Sequence, residues 1–144
     1  MVLQLKQKLR PDLKECGREE LIARRNKGEI LTEDLETPLV SYTGDTTIDV
    51  FHKEPRLQEL KVLITEVTFL DDKVSHQEAK RRGHLHLDDI VQNAHLFCQP
   101  AVVLMHFSSR YSTKHIQRLC QQKLPNDLYQ RVHIVSNDEP ILTL

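Results

Sequence analysis

The sequence has none of the features that mark membrane-spanning or secreted proteins. It contains no tryptophan and only 4 glycines among 144 residues, and no window holds the roughly 18 consecutive apolar residues that a membrane span needs. Its first residues include charges where a signal peptide carries a hydrophobic stretch. We therefore expect an intracellular protein, in the cytoplasm, the nucleus or an organelle, that is neither secreted nor bound to a membrane.

Cysteine and net charge give little indication of function. The three cysteines, Cys16, Cys98 and Cys120, form no CxxC pair, so neither a disulfide framework nor a cysteine zinc site is indicated. We interpret Cys98 and Cys120 as small core residues. The net charge is -1, whereas nucleic-acid-binding domains are usually basic. Basic residues crowd only into the first 27 residues, where a solvated helical face explains them more often than an RNA site does.

The chain divides into a polar first part and a patterned second part. Residues 1–38 are polar and contain Pro11 and Gly17, with one short helix predicted over residues 18–26. We interpret this part as a connector that follows an N-terminal half outside this sequence. Residues 39–136 alternate short apolar runs with amphipathic segments, which is typical of strands joined by crossover helices. The sequence thus predicts a single, partial α/β domain over residues 1–144, with residues 137–144 as a tail.

The apolar runs predict four strands and the amphipathic segments three helices. The strands are predicted over residues 39–43, 61–65, 101–105 and 131–135, and the helices over residues 75–82, 87–97 and 113–124. Ser75 and Glu78 have the S-x-x-E spacing of a capping box at the start of the first helix. Gly83 is placed to end that helix. This arrangement predicts a sheet with helices packed on it.

Acidic and histidine residues follow three of the predicted strands. Asp45 follows the first strand, Glu66 the second and His106 the third. In α/β sheets the carboxyl ends of the strands form a crevice in which sites are built. His84 lies in a turn between two predicted helices and is expected to reach the same edge. Singly, each residue has a structural explanation in a turn, a cap or a core histidine; together they predict a polar site but no particular reaction.

Four segments resemble the C-terminal motifs of one enzyme family. YTGDTT (42–47), TEVTFLDD (65–72), GHLHL (83–87) and LMHFSSRYS (104–112) resemble, in this order, motifs of tRNase Z, the zinc-dependent endoribonuclease that removes the 3′ trailer from precursor tRNA. The likeness is closest to short plant and cyanobacterial enzymes and covers residues 1–135. It implies the C-terminal half of a metallo-β-lactamase αββα sandwich, with one mixed sheet and helices on its outer face.

The resemblance also implies roles for individual residues. Asp45 matches the aspartate that bridges two metal ions, and His106 matches a histidine ligand of one ion. Their side chains suit zinc, two ions per complete site, with Mn²⁺ or Mg²⁺ as alternatives. Glu66 and His84 match a catalytic pair in which the carboxylate orients the imidazole, and the imidazole protonates the departing 3′ oxygen.

The remaining assignments from the resemblance stay open. Ser108 and Arg110 lie in the same motif as the histidine ligand and are candidate contacts for a substrate phosphate. For Arg110, a pairing with an acid inside the fold is an equal alternative. His86 is an alternative to His84 as the catalytic histidine, because Leu85 and His86 stand where many members of the family have Ser-Thr.

The family's metal-binding motif H-x-H-x-D-H is absent from this sequence, as is a further histidine ligand upstream of Asp45. Two protein ligands are fewer than the three or four of a stable zinc site, so we expect a partial chain that does not form the complete centre by itself. The expected substrate is precursor tRNA, and the complete enzyme is expected to be a homodimer. Two alternatives are another phosphodiesterase of the same fold and a non-catalytic module that binds a partner or dimerises.

Overall fold

The computed structural model describes residues 1–136, so the predicted tail over residues 137–144 lies outside the described residues. The chain forms two compact units, one of residues Leu3–Thr37 and one that comprises Met1–Val2 and the chain from Pro38 onward. The chain forms one five-stranded sheet in which strands that follow one another in the sequence are hydrogen bonded to each other, and the predicted α/β fold with one sheet and helices is confirmed. Within the described part, no helix is long and apolar enough to cross a membrane.

The unit Leu3–Thr37 contains regular structure that the sequence analysis only partly predicted. Strand β1 (Val2–Leu9) leads through a short 3₁₀ turn to α1 (Arg18–Asn26), and β2 (Thr32–Tyr42) begins in this unit. The bounds of α1 are those predicted, and Gly28 follows it with a φ of 83°. Strand β1 and the first half of β2 were not predicted, because their exposed polar residues lack the apolar runs by which buried strands are recognised.

The other unit is built on parallel strands. Strand β2 ends in it, and β3 (Val62–Glu66), β4 (Ala101–Met105) and β5 (Val132–Ile134) follow, each parallel to its neighbour. The four predicted strands are confirmed to within one residue, except that β2 begins well before residue 39. Because the strands are parallel, the residues that follow β2, β3 and β4 all meet at one edge of the sheet.

Helices and turns connect these strands. They are α2 (Asp49–Lys53), α3 (His76–Arg81), α4 (Leu87–Gln92), α5 (Thr113–Lys123) and α6 (Asn126–Tyr129), with 3₁₀ turns at Pro55–Glu59 and Ala94–Leu96. The Ser75 side chain accepts a hydrogen bond from the Glu78 N–H at 3.2 Å, as its spacing predicts. The single helix predicted over residues 87–97 is wrong in its second half, because Asn93 leaves the helical conformation at φ -115°.

The core lies where the sheet meets these helices. Leu63 of β3 and Leu104 of β4 are fully buried, and the rings of Phe51 and Phe97 pack with centroids 4.7 Å apart. Cys120 is buried as predicted, and burial raises the pKa of its thiol to about 12. The prediction of a core position for Cys98 is wrong: it is exposed beyond the 3₁₀ turn, where its thiol donates to the Gln58 carbonyl.

Candidate metal centre

Asp45 is presented by the turn that follows β2. The N–H of Thr43 still bonds the carbonyl of Ile64 in the neighbouring strand, at 3.1 Å. Gly44 then takes a φ of 66°, a left-handed conformation that glycine adopts without steric cost. The chain turns away from the sheet at this point and leaves the Asp45 side chain 56% exposed, which is the accessibility that a ligand to an incoming ion needs.

Glu66 ends β3 and is completely buried, so its carboxylate depends on protein donors. Oε1 accepts from the backbone N–H groups of Thr46, at 3.2 Å, and Leu85, at 2.7 Å. Oε2 accepts from the N–H of Thr68, at 2.9 Å, and from its hydroxyl, at 2.7 Å. The carboxylate is thereby fixed in one orientation from both sides.

His84 is held against this carboxylate. Gly83, at φ 80°, ends the segment after α3, and the His84 N–H bonds back to the carbonyl of Ala79 at 3.0 Å. The Nδ1 atom of the ring lies 3.3 Å from Glu66 Oε1. The Phe69 ring and the imidazole pack in a T-shaped arrangement, with centroids 6.0 Å apart. His84 therefore has a fixed position and a partly exposed ring.

His106 follows β4 in an uncommon backbone conformation. Its φ of 60° is the only positive value at a non-glycine residue among those described, and such conformations cluster at functional sites. Its Nδ1 atom lies 3.4 Å from Asp45 Oδ1. The ring stacks near that of His84, with centroids 5.6 Å apart. The two histidines and Asp45 thus meet at the edge of the sheet.

Thr68 joins all of these groups, and the sequence analysis did not identify it. Its hydroxyl lies 3.2 Å from His84 Nδ1 and 3.1 Å from His106 Nδ1, besides the bond to Glu66. A hydroxyl has one proton, and the short bond to the acceptor-only carboxylate uses it. Both Nδ1 atoms must then donate to the hydroxyl oxygen, which leaves Nε2 as the ring atom with a free lone pair. The only signal for Thr68 was its place two residues after Glu66 in the same motif.

The geometry of this group fits a metal ion. Asp45, His84 and His106 each offer one ligand atom, and these atoms lie within 4.8 Å of one another. The 3.4 Å distance to Asp45 Oδ1 involves Nδ1 of His106, the ring atom that donates to Thr68, so it shows that the two side chains meet but is not itself a distance between two metal ligands. Carboxylate and imidazole are the donors that zinc takes when no cysteine is present.

His86 lies outside this group and is fully engaged elsewhere. It is buried and caps the start of α4, where its Nδ1 accepts from the Asp88 N–H at 3.0 Å. Its other ring nitrogen, Nε2, lies 3.2 Å from the Asp71 carbonyl, to which it must donate. Neither ring nitrogen is left for a substrate or an ion.

Ser108 and Arg110 are not part of the group either. The Arg110 guanidinium pairs with Asp71 Oδ1 at 3.0 Å and lies over the Phe69 ring, 5.4 Å from its centroid. Tyr111 also donates to Asp71, at 2.9 Å. Ser108 bonds the Thr68 carbonyl through its backbone N–H at 3.0 Å. Of the two alternatives for Arg110, the structure shows the pairing with an acid inside the fold, namely Asp71.

Comparisons with known proteins give two related enzymes. The chain is 45% identical to tRNase Z TRZ1 of Arabidopsis thaliana over 92 residues, 62% of this chain and 33% of that protein. It is 38% identical to the chloroplastic tRNase Z TRZ2 of the same plant over 96 residues, 65% of this chain and 27% of that protein. The chain thus spans between about a quarter and a third of the length of the curated relatives that it matches.

A scan against protein-family models gives no match. The two relatives nevertheless confirm the resemblance that the motifs indicate. The α/β architecture with one sheet and helices is consistent with a metallo-β-lactamase-type fold.

Proposed function

Because this chain is homologous to tRNase Z, we propose that it forms part of the active site of a tRNA 3′-processing endoribonuclease. The observation that carries the proposal is the convergence of Asp45, His84 and His106, with ligand atoms within 4.8 Å of one another, in front of a buried carboxylate. The proposed substrate is precursor tRNA, and the reaction is hydrolysis of the phosphodiester bond before the 3′ trailer.

Asp45 and His106 are the proposed metal ligands of this centre. A zinc ion bound there would lower the pKa of a water molecule and polarise the scissile phosphate; Mn²⁺ and Mg²⁺ are the alternatives. Both side chains are about half exposed, so an ion reaches them without rearrangement of the core. A stable zinc site takes three or four protein ligands, and in the complete protein the others would come from outside the described residues, two zinc ions being expected in all.

Glu66 and His84 are the proposed acid-base pair. The Nδ1 atom of His84 lies 3.3 Å from Glu66 and 3.2 Å from the Thr68 hydroxyl, which holds the ring in one tautomer and orientation. A protonated His84 would pass the proton on Nε2 to the departing 3′ oxygen. His84 is preferred over His86 because both ring nitrogens of His86 already have partners.

Ser108 and Arg110 remain proposed, weaker contacts for a substrate phosphate, and a homodimer remains the proposed state of the complete enzyme. Two other functions are carried by particular observations. Another phosphodiesterase of the same fold is the first alternative, because carboxylate and imidazole ligands such as Asp45 and His106 suit the hydrolysis of phosphodiesters other than tRNA. A non-catalytic module is favoured by the small number of ligands: the family motifs indicate only Asp45 and His106, whereas a stable zinc site takes three or four protein ligands.

A chimera tests these functions against one another. This chain would replace the segment that it matches in tRNase Z TRZ1, and we expect the chimera to cleave the trailer from precursor tRNA. His84→Ala should keep zinc and slow cleavage by about 10²–10⁴-fold, whereas Asp45→Ala should lose the metal as well as the activity. His86→Asn, which retains a capping side chain, is the matched control and should stay close to the parent chimera.

The possible results separate the three readings. A folded chimera that hydrolyses bis(p-nitrophenyl) phosphate but leaves precursor tRNA intact contradicts the tRNA-processing function and favours another phosphodiesterase. A folded chimera that binds no zinc and cleaves neither substrate favours the non-catalytic module.

A further inference from the structure

A polar cavity lies beside the candidate metal centre and includes residues that no motif indicated. Its volume is about 230 Å³, and it is lined by Asp71, Lys73, Arg110, Tyr111, Ser112 and His115. Phe69 connects the two sites: its ring packs against His84 on one side and lies under the Arg110 guanidinium. A strand of substrate at the metal centre would therefore have this cavity within reach.

Among the described residues, Asp71 is the only carboxylate that lines the cavity, and it is already paired with donors. Asp71 Oδ1 accepts from Arg110 Nη2 at 3.0 Å, from the Tyr111 hydroxyl at 2.9 Å and from the backbone N–H of Lys73 at 3.3 Å. Burial raises the pKa of Asp71, but its bond with Tyr111 and the Arg110 charge outweigh this and hold the pKa below its ordinary value. These donors partly neutralise the charge of the carboxylate, so it repels a further anion less than an unpaired carboxylate would.

Cationic donors remain after this pairing. Arg110 uses Nη2 for Asp71 and for the Tyr111 hydroxyl, so within the described residues its Nε and Nη1 hydrogens stay available. Lys73 is exposed, and within residues 1–136 its ammonium makes no ion pair. Lys73 and Arg110 carry two positive charges against the one negative charge of Asp71, so the cavity has a net positive charge.

His115 adds a directed donor to the same cavity. Its ring stacks on Tyr111 with centroids 5.7 Å apart and an interplanar angle of 7°. Its Nδ1 lies 3.2 Å from Arg118 Nη2, and because arginine only donates, Nδ1 must accept and the proton must lie on Nε2. The ring is thereby fixed with an N–H group available at Nε2.

We propose that this cavity is a binding subsite for a backbone phosphate of the RNA substrate, with Lys73, Arg110 and His115 as its donors. A phosphate fits because it offers several acceptor oxygens to donors that converge from different elements, and Arg110 and Lys73 supply the charge-assisted bonds. The subsite rests on the proposed function, since it assumes that RNA lies across the neighbouring metal centre. It deepens that function by adding Lys73 and His115 to the substrate contacts.

Binding of a labelled single-stranded RNA of about ten nucleotides to the chain tests this proposal. Measurements in EDTA make the result independent of any metal, so that a failure of the subsite is distinguishable from a failure of the metal centre. Lys73→Gln should weaken binding by about three- to tenfold at low salt and reduce the slope of log K against log salt by about 0.7, the loss of one phosphate contact.

Lys61→Gln is the matched control. Lys61 is also exposed, but it precedes β3 at the opposite edge of the sheet, so its substitution should leave both the affinity and the salt slope unchanged. In NMR spectra the imidazole signals of His115 should shift on addition of RNA, whereas those of His133, on the exposed face of β5, should not.

Four results would overturn the subsite. The first is an equal loss of affinity in the Lys73 and Lys61 variants, which would mean diffuse electrostatic attraction. The second is that Lys73→Gln leaves the RNA affinity unchanged, and the third is that the parent chain binds no RNA. The fourth is that inorganic phosphate shifts the His115 signals while RNA does not, which would make the cavity an anion site that RNA does not use.

Discussion

A single hydroxyl, that of Thr68, holds the candidate centre in its geometry. It donates to Glu66 at 2.7 Å and lies within 3.2 Å of Nδ1 in both histidines. A metal-binding or catalytic histidine depends on such a partner for its tautomer and its ring orientation. The side chain is buried, so water cannot replace it without a change in packing.

Thr68→Val should therefore impair the centre without touching any proposed ligand. Loss of the hydroxyl leaves Glu66 with one donor fewer and frees both imidazoles to rotate, and we expect zinc affinity or cleavage to fall by about 10–100-fold in the chimera. Thr68→Ser, which keeps the hydroxyl, is the control and should lie within a few-fold of the parent. Equal zinc affinity and equal rates in the valine and serine variants would contradict the role given to Thr68.

The difference between Glu66 and Thr68 shows what the sequence could predict of the site. Glu66, Asp45, His84 and His106 were identified because acids and histidines after strands are chemically conspicuous and lie in family motifs. Thr68 was missed because a threonine after a strand is common. Its importance arises only when the fold brings two distant imidazoles to within hydrogen-bonding distance of its hydroxyl.

Helix α3 is held at its surface by ion pairs within the helix segment. Glu78 accepts from Arg81 Nε at 2.7 Å and from Arg82 Nε at 2.7 Å. The bonds with Arg81 and then Arg82 lower the pKa of Glu78 from 4.5 to about 2. Because α3 leads directly into Gly83 and His84, these pairs also stabilise the segment that positions the proposed acid.

The Glu78 pairs should stabilise the protein at neutral pH and lose this effect in acid. A carboxyl whose pKa is lower in the folded state stabilises that state fully above its unfolded value of 4.5, and the contribution is lost as the pH falls towards about 2. Glu78→Gln should thus unfold at a lower denaturant concentration than the parent at pH 7, by a small amount since the pairs are exposed. The difference should shrink at pH 3.

The control for this comparison is Glu59→Gln, an exposed acid at the end of the 3₁₀ turn Pro55–Glu59. Its midpoint should differ little from the parent at either pH. A Glu78→Gln difference that is as large at pH 3 as at pH 7 would show that charge pairing is not its cause.

The secondary structure was predicted best where burial dictates the pattern. Strand β4 has its predicted bounds because a run of five apolar residues is enclosed between Pro100 and His106. The helix over residues 87–97 was extended too far, since periodicity does not register that Asn93 ends α4. Strand β1 was missed because most of its residues are exposed, so that burial imposes no apolar run on them.

At the scale of the whole molecule, two loops carry the proposed metal ligands, one after β2 and one after β4. These loops belong to strands that are not neighbours, because β3 lies between them. An ion that binds Asp45 and His106 therefore connects segments that are 61 residues apart in the sequence. Binding of this kind requires the folded sheet, so metal binding and folding should be coupled.

Zinc should therefore stabilise the chain against unfolding, even with an incomplete ligand set. A ligand that binds only the folded state at 100 times its Kd adds about 2.7 kcal/mol to the free energy of unfolding, and EDTA should reverse the effect. Asp45→Asn and His106→Ala should abolish the zinc-dependent rise in Tm, whereas Asp72→Asn, an exposed aspartate outside the group, should keep it. The chain has 8 histidines, so a rise in Tm that persists in both ligand variants would place the bound ion elsewhere and contradict the proposed centre.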